Sequence, residues 1–286
     1  MKKLLVLLLI PFFAFSQTNP DREYWQTNKW TPKEGMNAEF EAGVAKKTDK
    51  FNSTAETSMA TYQIITGQDQ GKYMRVMGNR ESSAFDEDNS AELAYWGKHV
   101  MPYVESNDGN IRWWRMKGFS QNWDNDLPPA RFVKMTTYTV KRGKMSDFLR
   151  FWRNNTKLQK ELGYSGITGL FMLVSGGESQ QLLEVEPYNS HAEGIGKMTD
   201  PDVKYIEEYN KMHGWRTHRN DERAATEAIE EFVGINGSYA LLNIPFHVAS
   251  SVGSVGIDTS PKNMAIAALA TKFGYIRGDD GVSLGL

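Results

Sequence analysis

Two carboxylates, Glu184 and Glu186, stand two residues apart in the run Gln181-Leu182-Leu183-Glu184-Val185-Glu186. The run reads as a strand, and residues two apart on a strand share a face. If that face lines a cavity, the charges repel, one pKa rises, and a general acid results. If the face meets solvent, or a Lys or Arg, the pair is structural, because ion pairs also perturb carboxylates. His99 and His213 are the other titratable candidates, each late in a helix of its half of the chain. A neutral imidazole there could serve as a base or a ligand; at a surface it would only hydrogen-bond. His213 and His218 are five apart and miss the i, i+4 spacing of paired helical ligands. With 5 His in the whole chain, no metal cluster is expected. Trp152 lies on an apolar helical stripe, where it either stacks on an aromatic ligand or fills the core. Trp113 and Trp114 are adjacent on a strand, so one faces in and one out. The candidates for catalysis are thus Glu184, His213 and His99; the expected ligand contacts are Trp152, Tyr138 and Glu186.

The elements that must position these residues occur twice. Gly35 is followed five residues later by Phe40, and Gly143 five residues later by Phe148, with the two glycines 108 apart. Gly67 and Gly176, each in a turn before a strand-like run, are 109 apart. A period this long means two small domains and not a solenoid. In the second copy Phe132 to Val140 reads as a strand. Ser146 or Asp147 can cap a helix, along which Met145, Phe148, Leu149 and Trp152 recur at helical spacing. Ile167 to Val174 and Gln181 to Val185 read as strands around Gly176-Gly177, and Asp200-Pro201 opens a further helix through about Met212. Asp221 to Glu231, with mixed charge, reads as a solvated helix face. In the first copy Tyr24 to Thr31 is the first strand, Met36, Phe40 and Val44 mark a helix, and Thr61 to Ile65 and Tyr73 to Met77 are strands. Leu93, Trp96, Val100 and Val104 line one face of a second helix, and Ile111 to Met116 is the closing strand. The expected fold is α+β: two tandem ferredoxin-like βαββαβ units, residues 22–118 and 131–234, forming a pseudo-symmetric α/β barrel, with 119–130 as linker.

The ends differ. Lys2 and Lys3 precede an apolar run from Leu4 to Phe15, and Ala14-Phe15-Ser16 offers small residues for cleavage before Gln17. Residues 1–16 thus read as a signal peptide, too short for a membrane anchor, and imply export to the periplasm or beyond. With 0 Cys, stability must come from the core alone. Phe232 to Ile257 contains no Asp, Glu, Lys or Arg, but 12 of its 26 residues are Gly, Ser, Asn, Pro or His, which argues against a membrane span. Residues 235–286 have no counterpart in the first copy and form a tail of unassigned role. The net charge of −2 leaves no basic field for a phosphate backbone, so nucleic acid is not an expected partner. Nucleophile elbows, phosphate loops, dinucleotide fingerprints and His-Glu-x-x-His motifs do not occur.

Met135-Thr136-Thr137-Tyr138-Thr139-Val140-Lys141-Arg142-Gly143-Lys144-Met145, then Phe148-Leu149 and Trp152, resembles the NIPSNAP-like branch of the dimeric α/β-barrel superfamily. So does Glu186-Pro187-Tyr188-Asn189-Ser190-His191-Ala192-Glu193. The resemblance covers about a quarter of the chain. It implies ferredoxin-like units whose sheets pack face to face, usually between two subunits and here within one chain, as a monomer or homodimer. Members of the superfamily include cofactor-free monooxygenases, haem-degrading enzymes, haem peroxidase-like enzymes and proteins without an assigned reaction. NIPSNAP-like strands often carry a His and a Trp where this chain has Glu184 and Glu186, so no site transfers directly.

Three functions compete. The favoured one is a protein that holds a small apolar or aromatic molecule in the barrel, with no cofactor. The first alternative is a monooxygenase-like or haem-processing barrel enzyme, with Trp152, His99 or His213 and Glu184 in its site. A tight haem site is not expected, because Glu184 and Glu186 on a cavity strand would repel an anionic porphyrin. The second alternative is a structural or interaction module. Export has its own test: mass spectrometry of the native protein should find Gln17 at or near the N-terminus, and an intact Met1 in the cytoplasm would reject the leader.

Overall fold

The computed structural model describes residues 22–54, 56–125, 129–192 and 194–242, and their side chains as far as Glu230. The expected leader and residues 243–286 of the expected tail lie outside the described residues. The first half runs β1 (Tyr24–Pro32), α1 (Asn37–Phe51), β2 (Met59–Ile64), β3 (Tyr73–Arg80), α2 (Ser90–His99) and β4 (Val104–Arg115). The second runs β5 (Phe132–Val140), α3 (Met145–Glu161), β6 (Gly169–Ser175), β7 (Gln181–Tyr188), α4 (Tyr205–His213), α5 (Thr217–Ala228) and β8 (Ile229–Leu242).

All strand pairings are antiparallel, and the sheet closes on itself in the order β1-β3-β2-β8-β5-β7-β6-β4. Within it the first half reads β4-β1-β3-β2 and the second β8-β5-β7-β6, the same order of fourth, first, third and second strand. Each half alone would end in two open edges. The seams β2–β8 and β4–β6 close them within one chain, which removes the unpaired backbone groups that an edge exposes.

The paired glycines have the same job in each half. Gly35 (φ 75°) and Gly143 (φ 81°) turn the chain from first strand into first helix, and Gly67 (φ 93°) and Gly176 (φ 87°) lie between second and third strands. A side chain would strain the backbone at such angles. Phe40 and Phe148, five residues beyond the first pair, are both fully buried. On α3 the buried residues Phe148, Phe151, Trp152, Asn155, Leu158 and Gln159 follow one helical stripe. That stripe packs on Tyr138, Leu170 and Leu182 of the sheet.

Several expectations need correction. Leu93 does not share the core face of α2; it is exposed, and Trp96 is the residue that helix buries. Val104 opens β4 instead of continuing a helix, so the closing strand starts seven residues before Ile111. The charged stretch from Asp221 forms a helix as expected, but one side of α5 is buried. Asp221 there accepts hydrogen bonds from Arg150 Nε at 2.8 Å, Asn154 Nδ2 at 2.9 Å and the Tyr209 hydroxyl at 3.0 Å. The second half takes its fourth strand from Ile229–Leu242, which runs past residue 234, where the second unit was expected to end, into the stretch expected as tail. From Phe232 onward the strand is apolar and small without charge, and that composition disguised it. Among the described residues no helix is long and apolar enough to cross a membrane.

His218 of α5 is buried against the rings of Phe151, Tyr205 and Tyr209, with Glu222 3.8 Å from Nδ1. Burial pushes this imidazole down to about 4 from an ordinary 6.5, against the pull of Asp221 in the other direction. The folded protein therefore keeps His218 neutral where the unfolded chain takes up a proton. Its contribution to stability is complete above about pH 6.5 and is lost as the pH falls towards 4. Between pH 7 and 4.5 that loss is on the order of 2–3 kcal/mol. Thermal melts at the two pH values should show a smaller fall in Tm for His218→Phe than for the wild type. Equal falls would show that His218 does not sense acid.

Candidate functional site

Side chains alternate along each strand between the lumen of the barrel and the helix layer outside it. The lumen receives Trp25 and Thr27 from β1, Ala60 and Tyr62 from β2, Val76 and Gly78 from β3, and Trp113 from β4. From the other half come Val133 and Met135 of β5, Phe171 of β6, and Leu183 and Val185 of β7. These side chains fill part of the interior and leave a cavity of about 340 Å³ that reaches one mouth of the barrel. Asn79, Asp124, Asn125 and Asn189 line it there, all of them exposed.

One wall is a cluster of three rings. Trp25, Trp123 and Phe171 meet edge to face, with centroids 5.5, 5.5 and 5.4 Å apart. Each lumen indole has an acceptor for its N–H. Trp25 donates to Glu23 Oε1 at 2.7 Å, Trp113 to Thr27 Oγ1 at 2.9 Å, and Trp123 to Asn125 Oδ1 at 2.9 Å. The buried Glu23 carboxylate organises the mouth. It accepts a bidentate pair from Arg115, Nε at 2.8 Å and Nη2 at 2.6 Å, and a bond from Asn125 Nδ2 at 3.0 Å. Burial alone would raise the pKa of Glu23, but the hydrogen bonds from Arg115, Asn125 and Trp25 and the charge of Arg115 outweigh it and hold the carboxyl below its ordinary value. Because the walls' donors are already engaged, what they offer a ligand is mainly apolar and aromatic surface.

The residues expected to form a site lie elsewhere. Glu184 and Glu186 do share a face, but it is the helix-facing one; Leu183 and Val185 between and beside them face the lumen. Both carboxylates are buried. Glu184 accepts a 2.8 Å hydrogen bond from the Tyr138 hydroxyl, and Glu186 pairs with Lys134 at 3.0 Å, directly across the strand pair. Tyr138 and Trp152 meet in the same outer layer, rings 6.0 Å apart, and Trp152 donates to the carbonyl of Phe119 at 3.1 Å. The structure thus brings Tyr138, Trp152 and Glu184 together, beneath α3 and outside the lumen. His213 lies 3.2 Å by its Nε2 from the Asn154 carbonyl and packs on Tyr209. His99 stacks on Tyr95 at 4.1 Å in the other half. None of the six lines the lumen cavity.

These positions bear on haem. A haem iron needs an axial ligand beside an apolar slot. Among the described residues no histidine lines the lumen cavity, and His99 and His213 are engaged outside it, so the residues present do not fit a haem there. The expected reason, repulsion by Glu184 and Glu186, does not apply, since neither carboxylate faces the lumen.

The sequence reading missed Trp25, Trp123, Asn125 and Phe171. Trp25 stands in a strand of mostly polar residues. Trp123 and Asn125 belong to the stretch read as a linker, which instead folds back over the mouth and bridges Gln121 to Thr168. Of the adjacent pair, Trp113 is the inward residue and Trp114 the outward one, covered by the Arg22 guanidinium at 4.4 Å.

No family model and no curated protein matches the chain. Solved structures do match at low identity. A monooxygenase-like protein from Fusobacterium nucleatum is 10% identical, covers 83% of this chain and 97% of its own, and has a TM-score of 0.49. A second, from Lactobacillus acidophilus, is 12% identical over 78% of this chain and 94% of its own, with a TM-score of 0.45. A mutant chlorite dismutase from Candidatus Nitrospira defluvii is 8% identical over 78% and 92%, with a TM-score of 0.46. Identities this low say nothing of a shared reaction.

Gly78 is where the wall can be tested. A Cβ on Gly78 would lie 2.4 Å from the Trp25 ring, which its hydrogen bond to Glu23 holds in place. Gly78→Ala should therefore displace Trp25, lower stability by about 1–3 kcal/mol, and shift the tryptophan emission. A urea midpoint and spectrum equal to the wild type would show that Trp25 is not packed against this glycine.

Proposed function

We propose that the protein holds a small, uncharged, mainly aromatic molecule at the mouth of the barrel lumen. One observation carries the reading: a cavity of about 340 Å³ remains inside the barrel, walled by Phe171 and by Trp25, Trp113 and Trp123, whose indole N–H groups are all engaged. Ligand sites are commonly hollows of roughly 300–1,000 Å³ with apolar walls and a few polar groups at the rim. A purely structural module would have no use for the hollow.

The rival reading is a monooxygenase-like or haem-processing enzyme. Such a site needs polar groups converging on the reacting atoms. Among the described residues lining the cavity, Asp124 is the one carboxylate, and it is exposed at the mouth. The lining favours holding over converting. Membership of the NIPSNAP-like branch rests on the Met135–Met145 run and Trp152. Origin by tandem duplication is supported by the matched glycines and the repeated strand order. Export rests on residues 1–16, and the two repeat units on the bounds 22–118 and 131–234, the second now reaching Leu242.

Naphthalene is a suitable probe, being flat, uncharged and small. Its titration should quench tryptophan emission saturably at one molecule per chain. Ala60→Phe, which puts a ring into the cavity, should weaken binding at least tenfold while leaving the melting transition cooperative. No saturable quenching, or equal affinity in the variant, would refute a lumen site. Oxygen uptake or a new product during the titration would favour the enzyme.

A further inference from the structure

The two halves differ in how their helices cover the sheet. In the second half, Tyr138, Phe148 and Trp152 fill the layer beneath α3. In the first half a cleft of about 600 Å³ remains between α1, α2 and the outer faces of β1 and β3. Trp30, Lys47, Arg75 and Trp96 line it.

The cleft carries buried positive charge. Arg75 is 4% exposed and Lys47 2%. The Arg75 guanidinium lies 4.8 Å over the Trp96 ring, and its Nη2 donates to Thr48 Oγ1 at 3.3 Å. Lys47 Nζ pairs with Glu92 and donates to Asn52 Oδ1 at 2.6 Å. Two cations thus face one carboxylate in the deep part of the cleft, a net charge of one positive. Burial pulls Lys47 down to about 8, helped by the charge of Arg75, and pulls Arg75 down to about 10. At the rim, Arg80 and Arg112 stand among the exposed carboxylates Glu56, Glu87 and Asp88. These acids are solvated and screened, and so contribute less than the buried pair.

Donors are also in excess. Arg75 Nε and the indole nitrogens of Trp30 and Trp96 are buried and have no acceptor among the described residues. The three are neighbours: the Trp30 and Trp96 rings are 4.7 Å apart, and Arg75 covers Trp96. A buried donor left without an acceptor costs about 1–3 kcal/mol, so three in one cleft call for an acceptor-rich partner. A carboxylate supplies two oxygens with about four acceptor sites and the single negative charge that the deep part of the cleft lacks. Phe51 and Phe85 add aromatic lining, and the volume leaves room for a ring beside the acid.

We propose that this cleft is a second site, separate from the lumen, which binds a small aromatic carboxylic acid with its carboxylate on Arg75 Nε and the Trp30 and Trp96 indoles. Lys47 balances the charge from below. The lumen takes uncharged rings through engaged walls; the cleft takes an acid through unengaged donors.

Nitrogen-15 NMR of the full chain reads both sites at once, because the indole and arginine Nε signals report each donor. Benzoate is the probe, with benzamide as the uncharged match and inorganic phosphate as the small-anion control. Benzoate should move the Trp30, Trp96 and Arg75 Nε signals saturably and leave Trp113 in place. Benzamide and phosphate should each bind at least tenfold more weakly. Arg75→Gln should lose at least tenfold in benzoate affinity. Trp96→Phe, which keeps the ring and removes one donor, should lose several-fold, read from Trp30 with the dispersed spectrum as proof of folding. Unmoved signals at millimolar benzoate, equal binding of benzamide or phosphate, shifts confined to lumen tryptophans, or full affinity in folded Trp96→Phe would each overturn the proposal. Shifts confined to lumen tryptophans would also show that the lumen accepts an anion; the other outcomes do not bear on naphthalene in the lumen, so failure of the cleft and failure of the lumen site are told apart.

Discussion

Closure of the eight-stranded sheet is the constraint on which the rest of the molecule depends. Once β2 pairs with β8 and β4 with β6, no edge is left, and every strand has an inside and an outside. Helices cover much of the outside, so a strand such as β5 is buried along almost its whole length. One residue's shift in position then decides between two environments. Leu183 and Val185 reach the lumen, while Leu182, Glu184 and Glu186 meet the helix layer.

The polar groups follow that division. In the lumen they serve the rings: Glu23 fixes Trp25, Thr27 fixes Trp113, and Asn125 fixes Trp123, with Arg115 balancing the charge of Glu23. A hydrogen bond to a buried indole avoids a desolvation cost and also sets the ring's angle. The mouth is therefore shaped by polar contacts and yet presents apolar surface. In the outer layer of the second half, Tyr138 takes up Glu184 and Lys134 takes up Glu186, so those carboxylates are built into the structure.

The repeated topology carries unequal contents. The same strand order and the same positive-φ glycines frame both halves. The second half adds α5, whose Asp221 ties α3 and α4 together through Arg150, Asn154 and Tyr209. The first half has no counterpart to that helix among the described residues. It keeps Arg75 and Lys47 near α2 and leaves a cleft lined by Trp30, Arg75 and Trp96, each of which holds a buried donor without an acceptor among the described residues.

Local features could be read directly from the order of residues. The turn glycines, the stripe from Phe148 to Trp152 and the alternation within Gln181 to Val185 were legible because spacing of 3.6 or 2 residues is written in the order of residues. That order also determined that Glu184 and Glu186 share a face, and that one of Trp113 and Trp114 points inward. Which face became the lumen was decided only by tertiary structure. A strand's period is the same whichever side is inside, and closure through β8, which carries no charge from Phe232 onward and has no counterpart pattern, fixed the side. For the same reason Trp25 and Trp123 could not be matched in advance. Their rings meet only when the segment after Phe119 folds back across the mouth, a contact between residues about a hundred positions apart, which no local spacing records.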